Sequence, residues 1–269
     1  MNEGPLVVKV GGAGVDDPAS GSALWRAIID AHHALEGKLV LVHGGGRAVD
    51  EHLARLGMKT ERVEGLRVTP PEQMGEIAGV LAGRVNKGVV GAINAMSAGL
   101  AVGLCLGDGD LLRTQRKTLA SGADLGRVGT PLATGPEEGL LSLLMRNNLL
   151  AVVSSIGIGF DAGLLNVNAD DAAAGIAQRY KARALVLLTD VPGVLDEKKS
   201  LVEKLDAAGI ESMIARGVIH GGMVPKVKAA LSTASLAGCP VVIASWADPS
   251  AIVRIARGQA GGTRIVAGA

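Results

Sequence analysis

The stretch LVLVHGGGRAVDEHLARLGM, Leu39 to Met58, decides the fold. Leu39 to His43 is a near-continuous apolar run, as in a strand buried on both faces. Gly44, Gly45 and Gly46 follow, and then Val49, Leu53 and Leu56 stripe a helix that stops at Gly57. Strand, glycine turn and helix N-terminus together form a ready anion site, because free backbone N–H groups point out of the helix start. The stretch is not a GxGxxG fingerprint: no third glycine is correctly spaced, and Arg47 and Asp50 follow. It is not a Walker loop either, since no GK[ST] comes next. Glycines at such turns also serve purely conformational ends. The stretch therefore fixes a structural unit before it fixes a ligand.

The unit recurs along the chain. PLVVKV, KLVLVH, AVGLCL, LAVVSSI, ALVLLTD and PVVIAS are short apolar runs that alternate with helical patterns. This predicts an α/β fold: a mainly parallel sheet with helices on both faces. Trp25, Ile28, Ile29 and His32 share a face of the first long helix. The third has Thr69 before Pro70 and Glu72, read as an N-terminal cap, and then Met74, Ile77, Leu81 and Val85 on one side. KTERVEGLRV (Lys59 to Val68) and RVGTPLATG (Arg127 to Gly135) read as hairpins or loops beside the sheet. IGFDAGLLNVN has a turn at Asp161-Ala162-Gly163. No linker, low-complexity segment or repeat divides the 269 residues, so one domain with two lobes is expected, about 1–160 and about 161–269.

Composition excludes several function classes. A formal net charge of +1 gives no electrostatic case for nucleic acid or an anionic membrane, and clusters such as Arg113, Arg116 and Lys117 read as solvated faces. Aromatics make up 1% of the chain, so a bound ring would lie between aliphatic side chains. Cys105 and Cys239 stand far apart in apolar surroundings, as small core residues of a reducing, cytoplasmic compartment. The N-terminal MNEGPLVVKVGG has no run fit for a signal peptide. Gly88 to Gly107 is long and apolar, but Asn94, Ser97 and a stop at Gly99 make it a helix end followed by a buried strand.

Chemistry concentrates at junctions after strands, where open parallel sheets bind ligands. In VVKVGGAG, Lys9 sits late in a strand and Gly11-Gly12 follow. It reads as a lysine reaching solvent at a strand end, or as one facing a phosphate with the glycine N–H groups. In EGLRVT, Arg67 offers a planar fork suited to a carboxylate, or to a surface ion pair. In LLNVNADDAAAGIA, Asn166, Asn168 and Asp170 alternate along an extended segment, so their side chains can project together. One of Asn168 and Asp170 caps the helix, and Asp171 faces solvent. LLTDVPGVL places Asp190 after a buried strand. GVIHGGMVPKVKAAL places Lys226 in the first turn of a helix, against the macrodipole, a conflict that a bound polyphosphate would remove.

The order of KVGG, VHGGGRAVDE, EGLRVT, LGDGD, VVSSIG, LNVNADDAA, LLTDVPGVL, GGMVPKV and GTRIV resembles the acetylglutamate kinases of the amino-acid kinase superfamily over nearly the whole chain. The resemblance implies a three-layer sandwich around about eight strands. It implies phosphorylation of the side-chain carboxylate of N-acetyl-L-glutamate by ATP, the second step of arginine biosynthesis. Lys9 and Lys226 match the lysines that stabilise the transition state, and Asp170 the aspartate that holds both. Gly11, Gly12 and Gly45 match the glycines facing the phosphoryl group. Arg67 and Asn166 match the residues that grip the α-carboxylate, with Gly45, Gly46 and Asn168 completing the substrate set.

For the nucleotide, Asp190, Val191, Pro192, Gly193, Val194 and Leu195, together with Val218, Ile219 and His220, match the adenine and ribose segments. Gly11, Gly222 and Met223 extend that set. Magnesium is expected on the phosphates and water, with no protein ligand. The resemblance also implies a homodimer insensitive to arginine, since little chain precedes the first strand. The uninterrupted small and apolar residues Ala78, Gly79, Ala82, Val85 and Val89 make the long third helix the expected dimer face, or a buried core helix, which carries the same pattern. Three rivals remain. One is a kinase for a related acyl amino acid, such as carrier-linked 2-aminoadipate, which would differ around GLRVT. Another is a silent sensor on the same fold, which would lack Lys9, Asp170 or Lys226. The third is a Rossmann dehydrogenase, which needs a GxGxxG that KVGGAGVDD does not supply.

Overall fold

The computed structural model describes residues 4–16, 21–134 and 139–267. The chain opens with β1 (Leu6–Val10), α1 (Ala13–Asp16), α2 (Ser22–Ala34), β2 (Leu39–His43) and α3 (Gly46–Arg55). A hairpin of β3 (Arg62–Val63) and β4 (Leu66–Arg67) leads into α4 (Pro71–Ala78). A π-helical stretch (Gly79–Val85) joins α4 to α5 (Asn86–Met96). Next come β5 (Ala101–Cys105), β6 (Arg113–Arg116), β7 (Val128–Leu132), α6 (Leu140–Arg146), β8 (Leu150–Ser154), β9 (Ile156–Ile158) and β10 (Leu164–Val167). The second half holds α7 (Ala169–Arg179), β11 (Ala184–Thr189), β12 (Lys204–Leu205), α8 (Ala207–Ala215), α9 (Met223–Ala237), β13 (Val241–Ser245), α10 (Ser250–Ala256) and β14 (Thr263–Ile265).

Eight strands form one sheet in the order β12-β14-β13-β11-β1-β2-β8-β5. Only the β13–β14 pairing in it is antiparallel. The six apolar runs read from the sequence are its central strands and β5. Side chains alternate across it with period 2. Leu6, Val8 and Val10 of β1 join a core with α2, α3, α4, α5 and α10. Val7, with Val40 and Val42 of β2, joins a core with α6, α7, α8 and α9. That is the expected three-layer sandwich. Because β11, β1, β2 and β8 are parallel neighbours, their carboxyl ends meet along one edge, with Val10 level with His43 and His43 level with Ser154.

A four-stranded sheet, β6-β7-β10-β9, lies beside the main one. It gathers RVGTPLATG and IGFDAGLLNVN, which the sequence offered only as separate hairpins or loops; Gly135 of the former lies outside the described residues. Three local expectations are corrected. Thr69 does not cap the third helix: Pro70 takes the cap position with ψ 151° and no side-chain cap bond. Leu56 is 49% exposed rather than part of the stripe under α3. Val85 and Val89 are buried in the chain's own core, so neither is available to a dimer partner. The Gly88–Gly107 segment is a helix end, a turn at Gly99 with φ 73°, and β5. Among the described residues no helix is long and apolar enough to cross a membrane.

Candidate active site

The site is assembled where β1, β2 and α7 meet. Lys9 projects to the α7 side of the sheet at the end of β1. Its Nζ lies 2.9 Å from Asp170 Oδ1, with only 18% of the side chain exposed. A Cβ on Gly11 would sit 3.2 Å from that Nζ, so the ammonium lies directly over the glycine turn. One on Gly44 would sit 3.5 Å from the Ala169 Cβ, which brings the β2–α3 turn against the start of α7. Asn168 is the cap of α7: its Oδ1 accepts from Asp170 N–H at 2.8 Å and Asp171 N–H at 3.3 Å. Asp170 and Asp171 occupy the first turn, where the helix dipole favours carboxylates.

Next to this turn lies a cavity of about 150 Å³, lined by Gly44, Gly45, Gly46, Arg62, Arg67, Ser155, Asn166 and Asn168 among others. The β3–β4 hairpin holds Arg67 over it with the side chain 8% exposed. Its Nη1 donates to Asp50 Oδ1 at 2.5 Å and Thr60 Oγ1 at 3.2 Å, and its Nη2 to the Gly46 carbonyl at 3.1 Å. Desolvation pushes the Asp50 carboxyl up, but the Arg67 hydrogen bond and the charges of Arg67 and Arg62 outweigh it and hold it below its ordinary value. Of the five guanidinium donors, those on Nε and one on Nη2 carry no partner among the described residues. Asn166 Nδ2 donates to Thr69 Oγ1 at 3.0 Å. A larger groove of about 860 Å³, around Arg47, Glu51, Arg55 and Arg84, contains none of the residues predicted for catalysis or for substrate or nucleotide binding.

The segments that the sequence assigns to the nucleotide lie at the end of β11 and the start of α9. Lys226, in the first turn of α9, pairs with Asp190 rather than with Asp170. The expectation that Asp170 holds both lysines is therefore corrected: it holds Lys9, and Asp190 neutralises the cation that opposes the α9 dipole. The Lys226 hydrogen bond lowers the Asp190 pKa. Val194 and Ile219 are 1% and 2% exposed, so their side chains belong to the core and only their backbone can meet a ligand. Asp190, Pro192, Leu195, His220 and Gly222 are exposed, and Val191, Val218 and Met223 half-buried. Gly193, at φ 144°, lies so close to Thr263 that a Cβ would meet its Oγ1 at 2.5 Å. The Thr263 hydroxyl accepts from Val194 N–H at 2.7 Å, which fixes the loop against β14.

Sequence reasoning missed several site groups. Asp50, which also accepts from Arg62, holds Arg67; Asp50 stood in view only as a residue that broke a fingerprint. Thr69 orients Asn166 rather than capping a helix, and its hydroxyl also donates to the Arg67 carbonyl at 3.2 Å. Asp171 does not simply face solvent but pairs with Lys117 at 3.0 Å. Asp170 lies in the helix, not in an extended alternation with the two asparagines. Among the described residues no cluster of three or more His, Cys, Asp or Glu is placed to hold a metal ion.

A phosphate-ready glycine edge, a lysine–aspartate pair with a half-buried lysine and a separate lysine on a helix start define a phosphotransferase of the α/β sandwich type. The family model described as "Amino acid kinase family" matches residues 4–245, and the chain belongs to that family. Within it, the chain is similar to acetylglutamate kinases. It is 44% identical to that of Colwellia psychrerythraea over 97% of this chain and 96% of the relative. It is 41% identical to that of Aliivibrio fischeri over 98% of each. Among solved structures, carbamate kinase from Giardia lamblia bound to AMP-PNP shares the fold with a TM-score of 0.65 at 19% identity, covering 100% of both chains.

Proposed function

We propose that the chain transfers the γ-phosphoryl group of ATP to the side-chain carboxylate of N-acetyl-L-glutamate, forming N-acetyl-L-glutamyl 5-phosphate in the second step of arginine biosynthesis. Relatives of that name at 41–44% identity support the reaction. The observation that carries it to this chain's residues is the placement of Lys9, held by Asp170 over Gly11, beside a small cavity containing Arg67 and Asn166.

The acceptor carboxylate is ionised at neutral pH, with an ordinary pKa of about 4.3, so no general base is required. The difficulty is electrostatic, because an anion must approach an anion in line. One carboxylate oxygen forms a bond to the γ-phosphorus as the bond to the bridging oxygen of ADP breaks, and ADP leaves with that electron pair. Arg67 and Asn166 orient the α-carboxylate, and Gly45, Gly46 and Asn168 close on the rest of the acyl amino acid. Lys9 and the N–H groups of Gly11, Gly12 and Gly45 meet the charge that develops on the phosphoryl oxygens. Lys226 exchanges Asp190 for the phosphates when the nucleotide arrives, over the loops from Asp190 to Leu195 and Val218 to Met223. Asp170 is a positioning residue for Lys9. Magnesium would come with the phosphates, held by them and by water.

The acyl amino acid then sits over about 1–160 and the nucleotide over about 161–269. The chain acts in the cytoplasm as a homodimer paired through the exposed small residues Gly75, Gly79, Gly91 and Ala95 of the long helix rather than through Val85 and Val89; light scattering with Gly79→Lys checks the pairing. Incubation with ATP and N-acetylglutamate, glutamate or 2-aminoadipate, with hydroxylamine present, tests the reaction. A hydroxamate from N-acetylglutamate is expected. A product only from the unacetylated amino acids, or none, would overturn the reading in favour of a different acceptor or a silent sensor.

A further inference from the structure

His43 plays no part in the reaction as described, yet it ends β2 with no exposed surface, immediately before the glycine turn. Its two ring nitrogens have different partners. Nδ1 lies 2.8 Å from the Gly44 carbonyl, and Nε2 lies 3.0 Å from Asn86 Nδ2, on the first residue after the π-helical stretch. The Asn86 amide has one orientation. Its Oδ1 accepts from Lys87 Nζ at 3.0 Å, and its Nδ2 donates to the Val152 carbonyl at 2.9 Å. The second Nδ2 hydrogen therefore donates to His43 Nε2, which must be an unprotonated acceptor. The ring proton is left on Nδ1, where it donates to Gly44. Burial pushes the imidazole down to about 4, against the Gly44 bond and with the Lys87 ammonium, so the ring is neutral at physiological pH.

This bond fixes a peptide. The Gly44–Gly45 unit is trans, so the Gly45 N–H points opposite to the Gly44 carbonyl. With the carbonyl turned onto His43, the N–H lies on the opposite side of the peptide, and Gly44, Gly45 and Gly46 line the cavity. The flanking groups are fixed too: Gly44 N–H donates to the Val10 carbonyl at 3.1 Å, and the Gly45 carbonyl accepts from Val49 N–H at 3.0 Å. Gly45 has φ 148°, and a Cβ there would meet Leu81 and Val85 of the π-helical stretch at 3.0 and 3.3 Å. The same helical irregularity thus backs Gly45 and delivers Asn86.

We propose that His43, set in its Nδ1–H form by Asn86, is a positioning residue for phosphoryl transfer that aims the Gly45 N–H at the phosphoryl group. The inference rests on the reaction proposed above. It separates two histidine replacements. The asparagine amide nitrogen falls where Nδ1 was and keeps the donor to Gly44, whereas the glutamine amide falls where Nε2 was and loses it. His43→Gln is expected to lower kcat by roughly a hundredfold with both KM values within about threefold, the scale of one lost donor to developing charge. His43→Asn is expected to recover most of that loss. In the wild-type protein, ¹⁵N-labelled histidine spectra are expected to show one buried ring protonated on Nδ1 alone. A wild-type kcat in His43→Gln, no recovery in His43→Asn, or a ring protonated on Nε2 would each overturn the proposal. Should His43→Gln fail to fold, the His43→Asn rate and the wild-type spectrum still decide. A wild-type protein that makes no acyl phosphate would sink the reaction instead, while the spectrum would still test the peptide geometry.

Discussion

Lys9 and Lys226 are assigned to one reaction but stand in different surroundings. Lys9 rises from a central strand, 18% exposed, against an aspartate in the capped first turn of α7. Lys226 lies on the first turn of α9, 37% exposed, against an Asp190 that is 69% exposed. The acceptor half repeats the first pattern: Arg67 is buried and held on three sides before any substrate is present. The nucleotide half repeats the second, with exposed loops. The difference teaches where each kind of positioning comes from. In the proposed reaction, sheet and helix ends fix the groups that must not move during transfer. A solvent-screened ion pair holds Lys226, the group proposed to change partner, because such a pair is worth little and is readily exchanged.

The largest expected effects break the comparison at its two lysines. Lys9→Ala and Lys226→Ala should each lower turnover by roughly a hundredfold or more, measured as hydroxamate formation. They should part in stability: Lys9→Ala leaves Asp170 without its partner and lowers Tm, whereas Lys226→Ala leaves Tm close to wild type.

The next effect probes the rigid half. His43 has its folded pKa lowered to about 4, so between that value and its ordinary one of about 6.5 the unfolded chain binds a proton that the native state refuses. Stability therefore falls as pH falls. The expected loss is about 2 kcal/mol between pH 7 and pH 5, read from urea midpoints and absent in His43→Asn. The ring meets Asn86 and the Gly44 carbonyl and feels the charge of Lys87. Equal pH dependence in both proteins would mean that the ring is protonated in the fold.

Arg67→Ala should raise KM for the acyl amino acid by roughly tenfold, about the worth of one charge-assisted hydrogen bond, with little change in kcat. An unchanged KM would remove Arg67 from the site. The smallest effect belongs to the exchangeable pair: Asp190→Asn should change unfolding free energy by less than about 1 kcal/mol. A larger loss would show Asp190 to be a structural anchor and the two halves to be alike.

The fold was legible where strands are buried on both faces, since continuous apolar runs such as LVVKV and ALVLLT have no other home. The short strands β12 and β14 at one end of the sheet were not read as strands, because two or three residues carry no period. Lys9, Gly11 and Lys226 could be singled out as candidates because a cation or a glycine pair at a strand–helix junction is costly or idle without an anion. Asp170 came into view beside Lys9 only through the resemblance, and the partners of Arg67 and His43 did not. Asp50 reaches Arg67 across 17 residues, and Asn86 reaches His43 across 43, and only the packing of α3, the hairpin and the π-helical stretch sets those meetings. Thr69 misled because its hydroxyl had two possible employments. Pro70, with φ −58° and ψ 151°, begins the helix itself and leaves that hydroxyl to Arg67 and Asn166.

The most direct test of the central claim follows an oxygen atom. N-acetyl-L-glutamate labelled with ¹⁸O in its side-chain carboxylate is incubated with ATP and hydroxylamine, and the released phosphate is read by ³¹P NMR. If the carboxylate attacks the γ-phosphorus, hydroxylamine later expels phosphate that keeps one labelled oxygen, and the nucleotide product is ADP. Unlabelled phosphate, or AMP in place of ADP, would contradict the account.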